Sequence, residues 1–339
     1  MYILAFVAMF SSELAFYLLI AQTGITEVFN SDFIILAPLA FGGIIGSLSI
    51  FYFKNLSLSI FARSSILFAI QIILSFNYPY YNMFELFIFG FSVGSLAPLL
   101  VYQAKNVPFL FIAISLAISY TIGTYFFPTN PNDRVMIAIA LSTIAFISSL
   151  FTSKLPQKSI STDVSWNEIF IFVLWVFLDS ALFETLARDE QSSIWSFGFS
   201  NEIIIFHLLG IFGALAISNE KHGAHFIWIL FAISYFAYFN HNLLLLAAVY
   251  PFVISFYNVS IFKKLILIKS NQKIGLVMAI IGWGVSGIAL VTALNHWLFI
   301  GFLFIGILGI IAIKINIIDY RILWHTFTLI QQKFKNIRR

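Results

Sequence analysis

Cysteine is absent from the 339 residues, which removes disulfides, thiolate metal sites and cysteine nucleophiles together. Charge is nearly as scarce: 9% of residues are Asp, Glu, Lys or Arg against 61% hydrophobic, and the mean hydropathy is +0.98. A chain with so little charge cannot hide its apolar surface in a soluble core, so it is a polytopic membrane protein. Basic residues are missing ahead of the first apolar run and no small-residue cleavage pattern follows it, so that run is expected to stay as a first span and not leave as a signal peptide. The alternation that transmembrane barrel strands need is missing too, which leaves helices. The histidines are scattered. His222 and His225 are three apart but flank a short turn with no third ligand, so neither a metal site nor a cofactor is expected. No basic stripe carries interleaved aromatics, which excludes nucleic acid.

What the chain has is apolar length. A span needs about 20 largely apolar residues, and on that scale twelve appear: 2–21, 33–53, 57–76, 83–103, 108–127, 135–152, 167–187, 202–219, 225–240, 242–262, 275–293 and 297–316. The ninth and tenth are divided only by Asn240, His241 and Asn242. With the amino terminus cytoplasmic, all of the 18 Lys and Arg residues except Arg134 and Arg188 fall on the cytoplasmic side. Such a bias is what a correct even-numbered topology produces. It places both termini in the cytoplasm and the protein in a cytoplasmic (inner) membrane.

The longest polar stretch between spans, 153–166, divides the chain into an amino-terminal half, 1–152, and a carboxyl-terminal half, 167–319. The halves rhyme. Glu13 precedes Gly46 by 33 residues and Asp179 precedes Gly213 by 34, within the similar runs FGGIIGSL and LLGIFGAL. Two six-helix halves related as parallel repeats are the natural reading. In the tail, 320–339, Leu323, Phe327, Ile330 and Phe334 form one helical stripe, followed by Lys333, Lys335, Arg338 and Arg339. Such a segment is expected at the cytoplasmic interface against anionic lipid.

With these halves the chain resembles the major facilitator superfamily of secondary transporters. After its second helix that family reads G-x-L-x-D-(R/K)-x-G-(R/K)-(R/K); here Gly46, Leu48 and Lys54 are in register, while Ile50 replaces the acid and Phe53 the second glycine. The fourth helix resembles the family's R-x-x-x-G-x-x-x-G through Gly90 and Gly94, with Pro98 following and Leu86 where the arginine stands. The resemblance implies a small-molecule substrate, alternating access, protons as a candidate coupling ion and a monomer in the bilayer.

The candidate site residues follow from depth. Glu13 lies about 11 residues into its span and Asp179 about 12 into the seventh, roughly 17–18 Å from the cytoplasmic edge. An acid at the midplane costs about 2.5–3.5 kcal/mol on insertion scales and is functional by default. The two are expected on opposite walls of one central cavity, with neighbouring Ser11, Ser12 or Ser180 as partners that would make either acid merely structural. Tyr17 and Phe183, four residues on, share the faces of Glu13 and Asp179. Glu184 precedes Arg188 by four, the favourable order for an ion pair, and serves a gate or the substrate. His207 is read as a buried histidine or a cavity residue. Gly42 and Gly46 in the second helix, with Gly282 and Ser286 in the eleventh, form small-x-x-x-small faces expected to meet across the halves. Two rivals stand beside transport: a membrane glycan polymerase or acyltransferase, disfavoured by the short outer loops, and a non-transporting assembly or sensor protein on the same fold.

Overall fold

The computed structural model describes residues 1–29, 32–52, 58–152, 163–189, 193–217 and 220–311. The tail 320–339, most of the linker 153–166, and Lys54 lie outside the described residues. The described residues form twelve helices, one for each expected span: α1 (Tyr2–Val28), α2 (Phe33–Ser49), α3 (Ile60–Ser75), α4 (Met83–Ala104), α5 (Phe109–Phe126), α6 (Val135–Ser149), α7 (Trp166–Arg188), α8 (Ser200–Ala216), α9 (Glu220–Phe239), α10 (Leu243–Leu265), α11 (Asn271–Leu294) and α12 (Ile300–Ile311). Helices answer the physics of the bilayer, where every backbone polar group must find its partner within the chain.

The polar residues that punctuate the apolar runs do so as caps. Asp32 accepts from the amides of Ile34 and Ile35 ahead of α2. Asn82 with Glu85 opens α4, and Ser165 with Glu168 opens α7, each as a reciprocal capping box. The thin divide between the ninth and tenth spans holds for the same reason: His241 turns the chain at φ +51° and Asn242 caps α10. The ninth helix starts at Glu220, five residues ahead of its expected start, and is a full-length crossing.

Helix pairings recur six helices apart. α2 packs on α4 as α8 packs on α10, and α1 on α5 as α7 on α11. α3 packs on α6, and α9 meets α12 through the Trp228 indole, which donates to the Ile305 carbonyl at 2.9 Å. This is a parallel repeat of two six-helix halves, which touch through α2 with α11 and α5 with α8.

The glycine pairs need correction. α2 does meet α11, but through Gly43 against the Trp283 ring and Ser47 against Gly275, not through Gly42, Gly46, Gly282 and Ser286. Gly42 and Gly46 turn toward the α4 backbone, and Gly90 and Gly94 of α4 turn back onto Leu39 and Gly43 of α2. The four interlock within one half. A Cβ on Gly282 would meet nothing within 4 Å, because that residue faces open space.

Candidate functional site

That open space lies at the seam of the halves. A cavity of about 190 Å³ is lined by Tyr17 and Gln22 of α1, Tyr120 of α5, Asp179 and Phe183 of α7, and His207 of α8, among others. Asp179 is clasped there by two tyrosines of α10. The Tyr250 hydroxyl lies 2.9 Å from Oδ1 and 3.0 Å from the Asp179 carbonyl, and the Tyr257 hydroxyl donates to Oδ2. Charge-assisted bonds of this kind are worth about 1.5–3 kcal/mol each, so they fix the carboxylate's direction. Across the seam, the His207 ring stacks flat on Tyr120, with centroids 4.5 Å apart and an interplanar angle of 4°. Its Nδ1 lies 2.7 Å from Ser255 Oγ. His207 is therefore both buried and at the cavity wall.

Glu13 does not share that wall. Its side chain turns toward α3, where Gln71 Nε2 donates to Oε1 at 2.9 Å, and it lines a second cavity of about 140 Å³ between α1, α4, α10 and α11. The expected arrangement, two acids facing each other across one space, gives way to two adjoining spaces that share Leu14, Tyr17, Phe262 and Gly282. Two of the three serines weighed as partners are engaged elsewhere: Ser11 bonds to the Ala8 carbonyl and Ser180 to Ser286. Gln71 is the partner that sequence reasoning missed. As a lone carboxamide inside the run ILFAIQIILS, it carries the same kind of signal as an intramembrane acid, only weaker.

Glu184 lines a third cavity, of about 330 Å³, with Gln22, Trp283 and Ser286. The expected i,i+4 pair forms, with Arg188 Nη1 2.5 Å from Oε2. Its other oxygen accepts from Gln22 Nε2 at 3.1 Å, which ties α7 of one half to α1 of the other.

All three cavities draw on α1 and α11, and both helices locally widen to π geometry, over Tyr17–Gly24 and Ala279–Val285. Such segments spoil the regular ladder and frequently sit at functional sites. In α1 the freed carbonyls are answered: Thr23 Oγ1 donates to Leu18 at 2.8 Å, and Arg134 Nη1 donates to Leu19 at 2.8 Å. Arg134, expected in an outer loop, is 1% exposed. Its other bonds go to Thr23 Oγ1, at 2.9 Å, and to the Thr129 and Phe127 carbonyls.

Cross-half contacts stand toward both ends of the seam. Where α1 finishes, Gln22 meets Glu184, and the Phe127 ring of α5's end stacks on Trp195 at 4.5 Å. Where α1 begins, the rings of Phe10 and Phe262 meet at 5.3 Å, and Lys105 Nζ donates to the Ile268 carbonyl at 2.6 Å.

No protein-family model matches the chain, and no curated protein matches it in sequence. In structure it is similar to a crystallised mutant of the nucleoside transporter NupG, with 15% identity, a TM-score of 0.55, and coverage of 93% of this chain and 98% of that one. At that identity the likeness speaks to fold, and with the recurring six-helix pairings it makes this a major facilitator-type fold.

Proposed function

We propose that this protein is a secondary transporter that carries a small solute through the bilayer by alternating access, with the cavity around Asp179 as the solute site. The observation that carries the reading is Asp179 itself: an acid in the middle of a spanning helix, aimed by Tyr250 and Tyr257 into a space between two repeats. Intramembrane acids are expensive and mark substrate paths, and repeat interfaces are where secondary transporters bind. A donor group on the solute would take the free lone pairs of Asp179, while Tyr17, Phe183 and the Tyr120–His207 stack offer flat apolar faces. A ring-bearing, hydroxyl-rich solute suits that combination, and nucleosides are the first class to test, since the structurally similar NupG is a nucleoside transporter. Movement of the halves would break the contacts at one end of the seam and keep those at the other. Both termini face the cytoplasm in this reading and the monomer is the working unit.

Uptake of labelled nucleosides into vesicles reconstituted with the purified protein tests it. The parent accumulates at least one of them, whereas Asp179→Asn, which keeps the shape, lowers uptake by about tenfold or more, the equivalent of one hydrogen bond of about 1.4 kcal/mol. Tyr257→Phe falls between them. If Asp179→Asn transports the same solute as well as the parent does, Asp179 is structural and the assignment fails.

A further inference from the structure

The second cavity raises a chemical question that the solute site does not answer. Glu13 is 4% exposed, and no cation stands among the described residues lining its cavity. Its Oε1 accepts from Gln71 Nε2, but among the described residues Oε2 has no hydrogen-bond partner, and neither does the other atom of the same amide, Gln71 Oε1. Two bare oxygens on two groups already bonded to each other are an unstable combination if both are only acceptors, because each buried unpartnered acceptor loses its hydration without replacement. A single proton removes both faults. Placed on Oε2, it donates to Gln71 Oε1 while Nε2–H continues to donate to Oε1, and the acid and the amide close a ring of two hydrogen bonds. A protonated carboxyl has one donor and an amide has both kinds of atom, so the inventory balances.

We propose that Glu13 and Gln71 form a proton-binding site in which Glu13 is held as the neutral acid, apart from the solute cavity. Releasing the proton leaves a carboxylate in an apolar space with two buried oxygens that lack a donor, so release requires Glu13 to leave Gln71. The exit is at hand, since Glu13 faces a cavity that adjoins the solute site at Tyr17. The proposal leans on the transport reading only in giving that proton a role in the cycle.

The surrounding groups leave Glu13 as the titrating one. Tyr17 is the other titratable residue among the described lining residues. In α3, Arg63 is eight residues from Gln71, roughly 12 Å along the helix, and donates to the Leu58 and Ile50 carbonyls. α6 contains no titratable residue, and Tyr120 of α5 is stacked on His207. In α4, Glu85 serves the capping box and Tyr102 lies under Lys105. In α10, Tyr250 and Tyr257 hold Asp179, Lys263 donates to the Ala214 carbonyl and Lys264 pairs with Glu168. Lys273 of α11 pairs with Asp163.

Infrared spectroscopy of the purified protein in lipid reads the proton directly and needs no solute. Between about pH 6 and about pH 8 an ordinary Glu, at about 4.3, is ionised. The parent should nevertheless show the carbonyl stretch of a protonated carboxyl. Glu13→Gln should lack that band and yet melt with the parent, because an amide in that place keeps both hydrogen bonds; Asp179→Asn should retain the band. Gln71→Met should move it to higher frequency, as a carbonyl freed from its donor absorbs higher. A parent without the band, or a band that survives Glu13→Gln, overturns the proposal. If Glu13→Gln does not fold, an unshifted band in Gln71→Met overturns the pairing. Failure of nucleoside uptake with the band in place would count against the transport reading alone.

Discussion

Adding one methyl group to α4 should force it away from α2. A Cβ on Gly90 would sit 2.0 Å from the Leu39 carbonyl oxygen, and one on Gly94 would sit 2.2 Å from that of Gly43. Ordinary van der Waals contact starts at 3.4 Å, so the shortfalls are 3.4 − 2.0 = 1.4 Å and 3.4 − 2.2 = 1.2 Å. The obstructing atoms are backbone oxygens, which cannot rotate aside as a side chain can. α2 and α4 must therefore separate by about an ångström along their whole interlock, loosening Gly42 and Gly46 and lengthening the 2.8 Å bond from Ser47 Oγ to the Gly94 carbonyl. Overpacking of this kind costs about 1–3 kcal/mol. Gly90→Ala and Gly94→Ala should each lower the melting temperature of the purified protein in detergent, followed by the fluorescence of its seven tryptophans. The double variant should lose less than the sum, since one separation accommodates both methyls. Gly282→Ala is the control, because its Cβ would enter open space, and it should melt with the parent. Gly90→Ala and Gly94→Ala that also melt with the parent would refute the close approach of the two backbones.

Two further outcomes are expected. Arg134→Met takes the guanidinium donor from the Phe127 and Thr129 carbonyls and leaves the Leu19 carbonyl only the longer 3.3 Å bond from Thr23 Oγ1, which at about 1–3 kcal/mol for a buried unsatisfied group should lower the melting temperature markedly; Arg134→Lys should rescue only incompletely, because a single ammonium cannot reproduce the planar fork, and an unchanged Arg134→Met would show that the π segment of α1 does not depend on it. Burial pushes Lys105, at the end of α4, down to about 8, with Asp163 opposing the shift. Against an unfolded value of about 10.4, the folded protein binds this proton less tightly, so stability should rise as pH goes from about 8 to about 10.4. Lys105→Met should flatten that section of the pH–melting curve, and a slope that persists would assign it to another group.

The twelve crossings were legible because the bilayer imposes a length on each of them, and the polar residues between apolar runs could be named in advance as boundaries. Asn240, His241 and Asn242 suffice to separate two helices because one turns the chain and another caps the next helix. The equivalence of the halves was legible in the spacing of Glu13 and Asp179 from their glycine runs. The partner of each small-residue face was not. Gly42 and Gly46 mark a surface on which another helix can come close, but a glycine carries no side chain whose chemistry would say which helix comes. Only the fold, which lays α4 beside α2, decides between α4 and α11.

The same limit explains the site. Depth located Asp179 and Glu13, and spacing to Arg188 located Glu184, since a charged side chain's place along a span is visible in one dimension. Rotation about the helix axis is not visible in that way, and it is rotation that sends Glu13 to Gln71 and Asp179 to Tyr250 and Tyr257. One acid is thereby met by an amide that can both donate and accept, the other by two hydroxyls that favour a carboxylate by donating to it. Carboxyl groups at matching depth in matching helices are in this way given different chemistry by neighbours 58 to 78 residues distant in the chain. Sequence symmetry between the halves therefore predicted where the acids stand, while the asymmetry of their partners is what would let one hold a proton and the other a solute.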